Sequence, residues 1–214
     1  MRLSLTRSIF GLLVLVTLAL VLRADDKPAA EGKWKPLWDG KTLEGWHKIG
    51  QGEWTVEDGA IVGRNVPAND YGHLVSDKTY TDFTVRMKYK SIAGNSGFYF
   101  RIKEEGGSGV SGFQAEIDPK NDVGGLYETN GRGWVVQPKP EDVAKWFRPG
   151  EWNEMTVSAR GGDVVVHVNG IKSAELNNDQ GKWNGEGRFA LQVHGGQDVH
   201  VMFKDLEILA EGEK

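Results

Sequence analysis

Three short stretches of the sequence carry side chains that can move protons, and in each they fall on every second residue. Gly112–Asp118 presents Gln114, Glu116 and Asp118; Phe189–His194 presents Gln192 and His194; Ser96–Arg101 presents Tyr99 and Arg101. A carboxylate beside a second acid is a candidate general acid or base. An imidazole, with an ordinary pKa of about 6.5, exchanges protons near neutrality. A guanidinium can clamp a carboxylate or steady an enolate oxygen. Gathered on one surface, these groups would hold a sugar and act on it. For an isolated Glu-x-Asp the ordinary alternative is a solvated face, and for Arg101 it is an ion pair with Glu116 or Asp118.

Other residues extend the same surface. Lys88, with Arg86, lies on the polar parity of its strand. Asn95 opens a tight Asn-Ser-Gly entry into the Tyr99 strand and could bond hydroxyls. Tyr127 and Trp134 flank the glycine-rich Glu128–Gly133 and suit stacking on a pyranose face. Trp38, Trp46, Trp54 and Trp152 read as core or rim packing. His47, His73, His167 and His200 lack polar company and read as structural or surface residues.

The alternation itself requires strands, whose side chains point to opposite faces in turn. The greasy parity of each stretch belongs to a core, the polar parity to an outer face. Two hairpins are marked by tight-turn dipeptides: Trp54–Glu57 and Ala60–Arg64 around Asp58-Gly59, and Asp163–Val168 and Ile171–Glu175 around Asn169-Gly170. Further strands are predicted at Asp82–Lys90, Trp152–Arg160 and Val199–Ile208, the last with a bulge near Lys204–Asp205. The one helical candidate is Glu141–Phe147, behind Pro140. Many short strands joined by glycine-rich turns predict an all-β sandwich or jelly roll.

The chain has 214 residues, a formal net charge of −4 and no cysteine. With no basic stripe, nucleic acid is excluded as an expected partner. Arg2, Arg7 and the apolar run Ile9–Leu22 before Ala24 read as a secretory signal peptide over residues 1–24. A small-residue linker at 25–32 and one domain over 33–214 follow, and the expected location is periplasmic or secreted. Membrane contact is expected only through an uncleaved signal sequence. The chain lacks a nucleophile elbow, a phosphate loop and zinc-type spacings, so no metal is assigned. Jelly-roll glucanases place acids as Glu-x-Asp-x-x-Glu; here Glu116 and Asp118 are followed by Asn121, so the second carboxylate of a retaining glycosidase is missing there.

The order of motifs is more specific than any one of them. Trp38-Asp39-Gly40 through Gly45-Trp46, Asn95-Ser96-Gly97-Phe98-Tyr99-Phe100-Arg101 and Gly112-Phe113-Gln114-Ala115-Glu116-Ile117-Asp118 come first. Gly124-Gly125-Leu126-Tyr127, Glu151-Trp152-Asn153 and Ala190-Leu191-Gln192-Val193-His194-Gly195-Gly196 follow. From about Lys33 onward this series resembles the 3-keto-disaccharide hydrolase family, described as 3-keto-glucoside-1,2-lyase/3-keto-2-hydroxy-glucal hydratase domains. The resemblance implies a concanavalin A-like jelly-roll sandwich of two antiparallel sheets and an exported enzyme acting on a small 3-keto-glucoside. No cofactor is implied, because the ketone at C3 already makes the C2 proton acidic. It further implies Glu116 as base, His194 as acid or second base, and Arg101 or Lys88 as enolate stabiliser. Gln114, Gln192, Asn95, Tyr99, Asp118, Tyr127 and Trp134 would line the sugar site. Many members read Glu-Val-Gln-Ile where this chain reads Gln114-Ala115-Glu116-Ile117, which leaves the acid/base assignment open. A non-catalytic carbohydrate-binding jelly roll and an ordinary β-glucanase are the alternatives.

Overall fold

The structure, a computed structural model, describes residues 33–179 and 185–210. The expected signal peptide and linker lie outside these residues. In chain order the elements are β1 (Lys35–Pro36), β2 (Trp46–Gly50), β3 (Glu53–Glu57), β4 (Ala60–Asn65), β5 (Gly72–Tyr80), β6 (Phe83–Ala93), β7 (Ser96–Gly106) and β8 (Gly109–Ile117). They continue with β9 (Leu126–Thr129), β10 (Gly133–Val136), α1 (Pro140–Trp146), β11 (Asn153–Arg160), β12 (Asp163–Val168), β13 (Ile171–Leu176), β14 (Gly187–Val193) and β15 (Val199–Ala210).

The strands form two antiparallel sheets, the sandwich that the alternating pattern predicts. The back sheet runs β13-β12-β11-β6-β15-β4-β3, with β1 paired to β15; the front sheet runs β10-β9-β8-β7-β14-β5-β2. Between them lies one dry core. The front sheet contributes Leu74, Phe98, Phe100, Phe113, Ala115, Ile117, Phe189, Leu191 and Val193; the back sheet contributes Val85, Met87, Tyr89, Met155, Val157, Val166 and Phe203, among others. Trp38, Trp46 and Trp54 are buried in it, while Trp152 lies beneath the Lys204 ammonium. Asp58-Gly59 and Asn169-Gly170 all have positive φ, as the tight hairpin turns demand. The bulge expected in β15 is present as a register shift between Lys204 and Glu207, with Asp205 at φ 52°.

The three polar stretches are neighbours, because β8, β7 and β14 lie side by side. One of their residues breaks the pattern. Arg101 has φ 52°, and the β7–β8 register shifts between Phe100 and Lys103. This bulge turns Arg101 to the core side and returns Ile102 to the outer face, where it packs with Tyr99 and Val110. Arg101 is fully buried. Its guanidinium donates from Nε and Nη2 to Thr81 O (3.1 and 2.9 Å) and from Nη1 to Gly161 O (2.7 Å). Thr81 lies in the turn from front-sheet β5 to back-sheet β6 and Gly161 in the turn between back-sheet β11 and β12, so one side chain ties the two layers together, with Asp82 Oδ1 at 3.3 Å. The expected role of Arg101 at the outer surface is therefore corrected.

The same irregularity bends the hairpin tip. Across from Arg101, Gly112 has φ 133°, and a Cβ there would stand 2.8 Å from Arg101 O. Beyond the bend the tip reaches over the outer face, where Ser108 Oγ donates to Asp70 Oδ2 at 2.9 Å. Substituting Arg101→Lys keeps the charge and loses the fork. Urea denaturation is expected to show a loss of about 2–4 kcal/mol, because buried carbonyls are left without donors. An unchanged midpoint would mean that Arg101 does not tie the layers.

Candidate active site

The outer face of the front sheet holds a hollow of about 430 Å³. Strand register builds its floor. One cross-strand row reads Val75, Ala190, Tyr99, Gln114, Tyr127, Trp134, each residue opposite the next. A second pairs His73 with Gln192 and Gly97 with Glu116. Tyr71 and His194 form one wall, the β9–β10 hairpin with Tyr127 and Trp134 another, and Ser108–Val110 of the bent tip a third.

Glu116 is the chemical centre. It is 5% exposed, and Asn95 Nδ2 donates to its Oε1 at 2.8 Å. Burial pushes its pKa up to about 8; the Asn95 bond opposes the rise, and the charges of Asp118 and Asp122 add to it. The opposite residue, Gly97, makes room for the neighbouring amide. A Cβ there would stand 2.4 Å from Gln114 Nε2. Gln114 Nε2 lies 3.4 Å from both Ser96 O and Gln192 Oε1. Gln192 Nε2 donates to Tyr99 Oη at 2.9 Å, and Thr129 Oγ1 donates to the same oxygen at 3.3 Å. Tyr99 thus accepts twice and keeps its own proton, with burial holding its pKa above the phenol range.

His194 ends β14 and lies beside the Asn95 turn, its N–H donating to Asn95 O at 3.3 Å. Its ring meets Tyr71 at 4.4 Å between centroids. Tyr127 and Trp134 stand edge to face, 5.2 Å apart at 87°, as a two-ring platform.

The expected residues Asn95, Tyr99, Gln114, Glu116, Tyr127, Trp134, Gln192 and His194 all line the hollow. Three others do not. Arg101 lies between the layers. Lys88 is on the outer face of the back sheet, its Nζ 2.9 Å from Asp205 Oδ2. Asp118 follows the end of β8 and caps a turn, Oδ1 accepting from Lys120 N at 2.9 Å; its influence on Glu116 is that of a nearby charge. No Lys or Arg lines the hollow among the described residues.

Two residues in the hollow were read otherwise or passed over. His73 is 2% exposed with both ring nitrogens unpartnered, and its ring stands perpendicular to Tyr99 at 5.3 Å. Burial lowers its pKa to about 4, so it is neutral. Tyr71 shares the parity of His73 and Val75; the alternation through Leu74 was the available signal, blurred because Val75 is apolar. Asn95 Oδ1 is also buried without a partner. Among the described residues no group of three or more His, Asp or Glu is arranged to hold a metal ion.

A family model described as the 3-keto-alpha-glucoside-1,2-lyase-like domain matches residues 33–209. No curated protein matches the chain. Among solved structures, a candidate glycosyl hydrolase from Parabacteroides distasonis is 25% identical with a TM-score of 0.64, covering 86% of this chain and 95% of that one. The carbohydrate-binding module CBM66 from Bacillus subtilis is 18% identical with a TM-score of 0.59, covering 76% and 93%. A galectin-like protein of unknown function from Bacillus subtilis, 13% identical, has a TM-score of 0.62 and covers 78% and 90%. The last two share the fold.

Burial of Glu116 has a thermodynamic signature. Its folded pKa, about 8, lies above the ordinary 4.5, so the native state holds a proton that the unfolded chain has released. This contribution to stability is complete below about 4.5 and is lost as pH rises through about 8. Unfolding free energies of wild type and Glu116→Gln, compared from pH 5 to 9, are expected to separate as pH rises, wild type losing stability while the variant stays flatter. Parallel curves would show that Glu116 titrates as an exposed acid.

Proposed function

Because the chain belongs to the family of 3-keto-alpha-glucoside-1,2-lyase-like domains, we propose that it cleaves glucosides already oxidised at C3, by elimination followed by hydration. The ketone acidifies the C2 proton. The Glu116 carboxylate takes that proton, the C3 oxygen carries the enolate charge, and the C1–O bond breaks as C1=C2 forms. Water then adds to C1 of the 2-hydroxy-glucal while C2 regains a proton. The net result is glycoside hydrolysis without a second carboxylate at glycosidase spacing. Export of the enzyme to the periplasm or beyond fits the apolar N-terminal segment.

The observation that carries this reading is the basicity of Glu116. A carboxylate with a pKa near 8 is a far stronger base than an exposed one, and matched basicity speeds proton transfer. Its burial at the centre of an uncharged hollow supports catalysis over simple sugar binding. With Arg101 and Lys88 elsewhere, the enolate oxygen falls to a neutral donor, the Tyr99 hydroxyl. Neutral donors in a dry site are effective oxyanion partners. The hollow falls in the size range of small-molecule sites, and the Tyr127–Trp134 platform suits a pyranose face.

Incubating the protein with a 3-keto-glucoside in deuterated water, followed by NMR, should place deuterium at C2 of the product. The unoxidised glucoside should remain intact. Glu116→Gln is expected to lower turnover by roughly 10²–10⁴. In wild type, kcat/KM should pass through a maximum with pH, because Glu116 must be ionised while the group that protonates the leaving oxygen still holds its proton. Gly97→Ala, which displaces Gln114, should raise KM more than it lowers kcat. Binding of the 3-keto-glucoside without turnover would instead identify a carbohydrate-binding module.

A further inference from the structure

Both ring nitrogens of His194 are engaged. Nδ1 lies 2.6 Å from Gly195 O, and Nε2 lies 3.0 Å from Tyr71 Oη. A carbonyl oxygen only accepts, so Nδ1 carries a hydrogen. In the neutral ring Nε2 is then bare and accepts the Tyr71 hydroxyl proton; in the doubly protonated ring Nε2–H donates to the Tyr71 oxygen instead. In both states the phenol oxygen covers the nitrogen that faces away from Gly195. His194 therefore reaches a ligand only through Tyr71, which stands at the mouth of the hollow, 37% exposed.

The pair is built, not incidental. Gly195 allows the backbone before β5 to lie against the end of β14: a Cβ there would stand 2.8 Å from Tyr71 N. Tyr71 N donates to Asp70 Oδ1 at 2.8 Å, and the two rings tilt at 53°.

We propose that Tyr71 is the catalytic acid at the C1 oxygen, with His194 as the positioning residue behind it that stores the proton. The proposal rests on the lyase reading above. In the elimination the departing oxygen takes the Tyr71 hydroxyl proton, and Tyr71 takes the Nε2 proton of a doubly protonated His194. His194 is left neutral, accepting from Tyr71. In the hydration, water oxygen bonds to C1, its proton passes to Tyr71, and the Tyr71 proton passes back to Nε2. Glu116 returns its proton to C2. One turnover leaves every group as it began.

The test compares Tyr71→Phe with wild type on two 3-keto-glucosides, one with a methoxy and one with a 4-nitrophenoxy group at C1. Methoxide needs a proton to leave; 4-nitrophenoxide does not. The variant should lose about 10²–10⁴-fold on the methyl glycoside, and far less on the nitrophenyl glycoside. Recovered methyl substrate should gain deuterium at C2 in deuterated water, since Glu116 still works. His194→Gln should show the same leaving-group bias at smaller amplitude. An equal loss on both substrates, or none on the methyl glycoside, overturns the proposal. Wild type that neither exchanges C2 hydrogen nor cleaves either substrate overturns the lyase reading itself.

Discussion

A carboxyl group held out of water without a counter-charge sets the terms for the whole front sheet. Glu116 accepts from Asn95 Nδ2, and no Lys or Arg lines the hollow among the described residues. Isolated in this way, a carboxylate is costly, so the group answers by retaining its proton to a higher pH. The surrounding structure has to tolerate that cost. It does so through a dry core directly beneath, formed by the alternate residues Phe113, Ala115 and Ile117 of the same strand. The strand that carries the reactive group thus also fastens it.

Precision around Glu116 comes from cross-strand register rather than from loops. Each side chain of the floor has a fixed neighbour, and the amide chain from Gln114 through Gln192 to Tyr99 locks their orientation. Preorganised dipoles of this kind need no rearrangement when charge develops. Glycine shapes the site where backbone or amide must come close: Gly97 under Gln114, and Gly195 against Tyr71.

Much of this was legible from residue order. Period-two alternation located β7, β8 and β14 and their two faces, and the Asp-Gly and Asn-Gly pairs located two hairpins. The misplacements have distinct physical causes. Arg101 left its face because a left-handed, non-glycine residue formed a bulge, which alternation cannot register. Lys88 shows the right parity on the wrong sheet, since parity does not say which layer a strand joins. Asp118 continues the pattern in sequence but not in space, because Pro119 ends the strand and a turn begins. His73 belongs to β5 and Tyr71 just precedes it, and the outer face of that strand mixes His with Val and so lacks a clear polar signature. That a buried imidazole would lie beneath Tyr99 depends on a pairing between β14 and β5 that only the assembled sheet reveals.

The bend at Arg101 and Gly112 divides the β7–β8 hairpin into two parts with separate duties. Below it, Glu116, Gln114 and Tyr99 are tied to the core; above it, Ser108–Val110 form a rim held by polar contacts to Asp70 and Asn130 and by the packing of Val110 on Tyr99 and Ile102. Because the guanidinium anchors the junction from inside, the rim can be lengthened, shortened or rewritten without disturbing the proton-handling groups. Such modularity gives the scaffold a structural degree of freedom: the hairpin tip can vary in length and sequence while the floor of the hollow keeps its register.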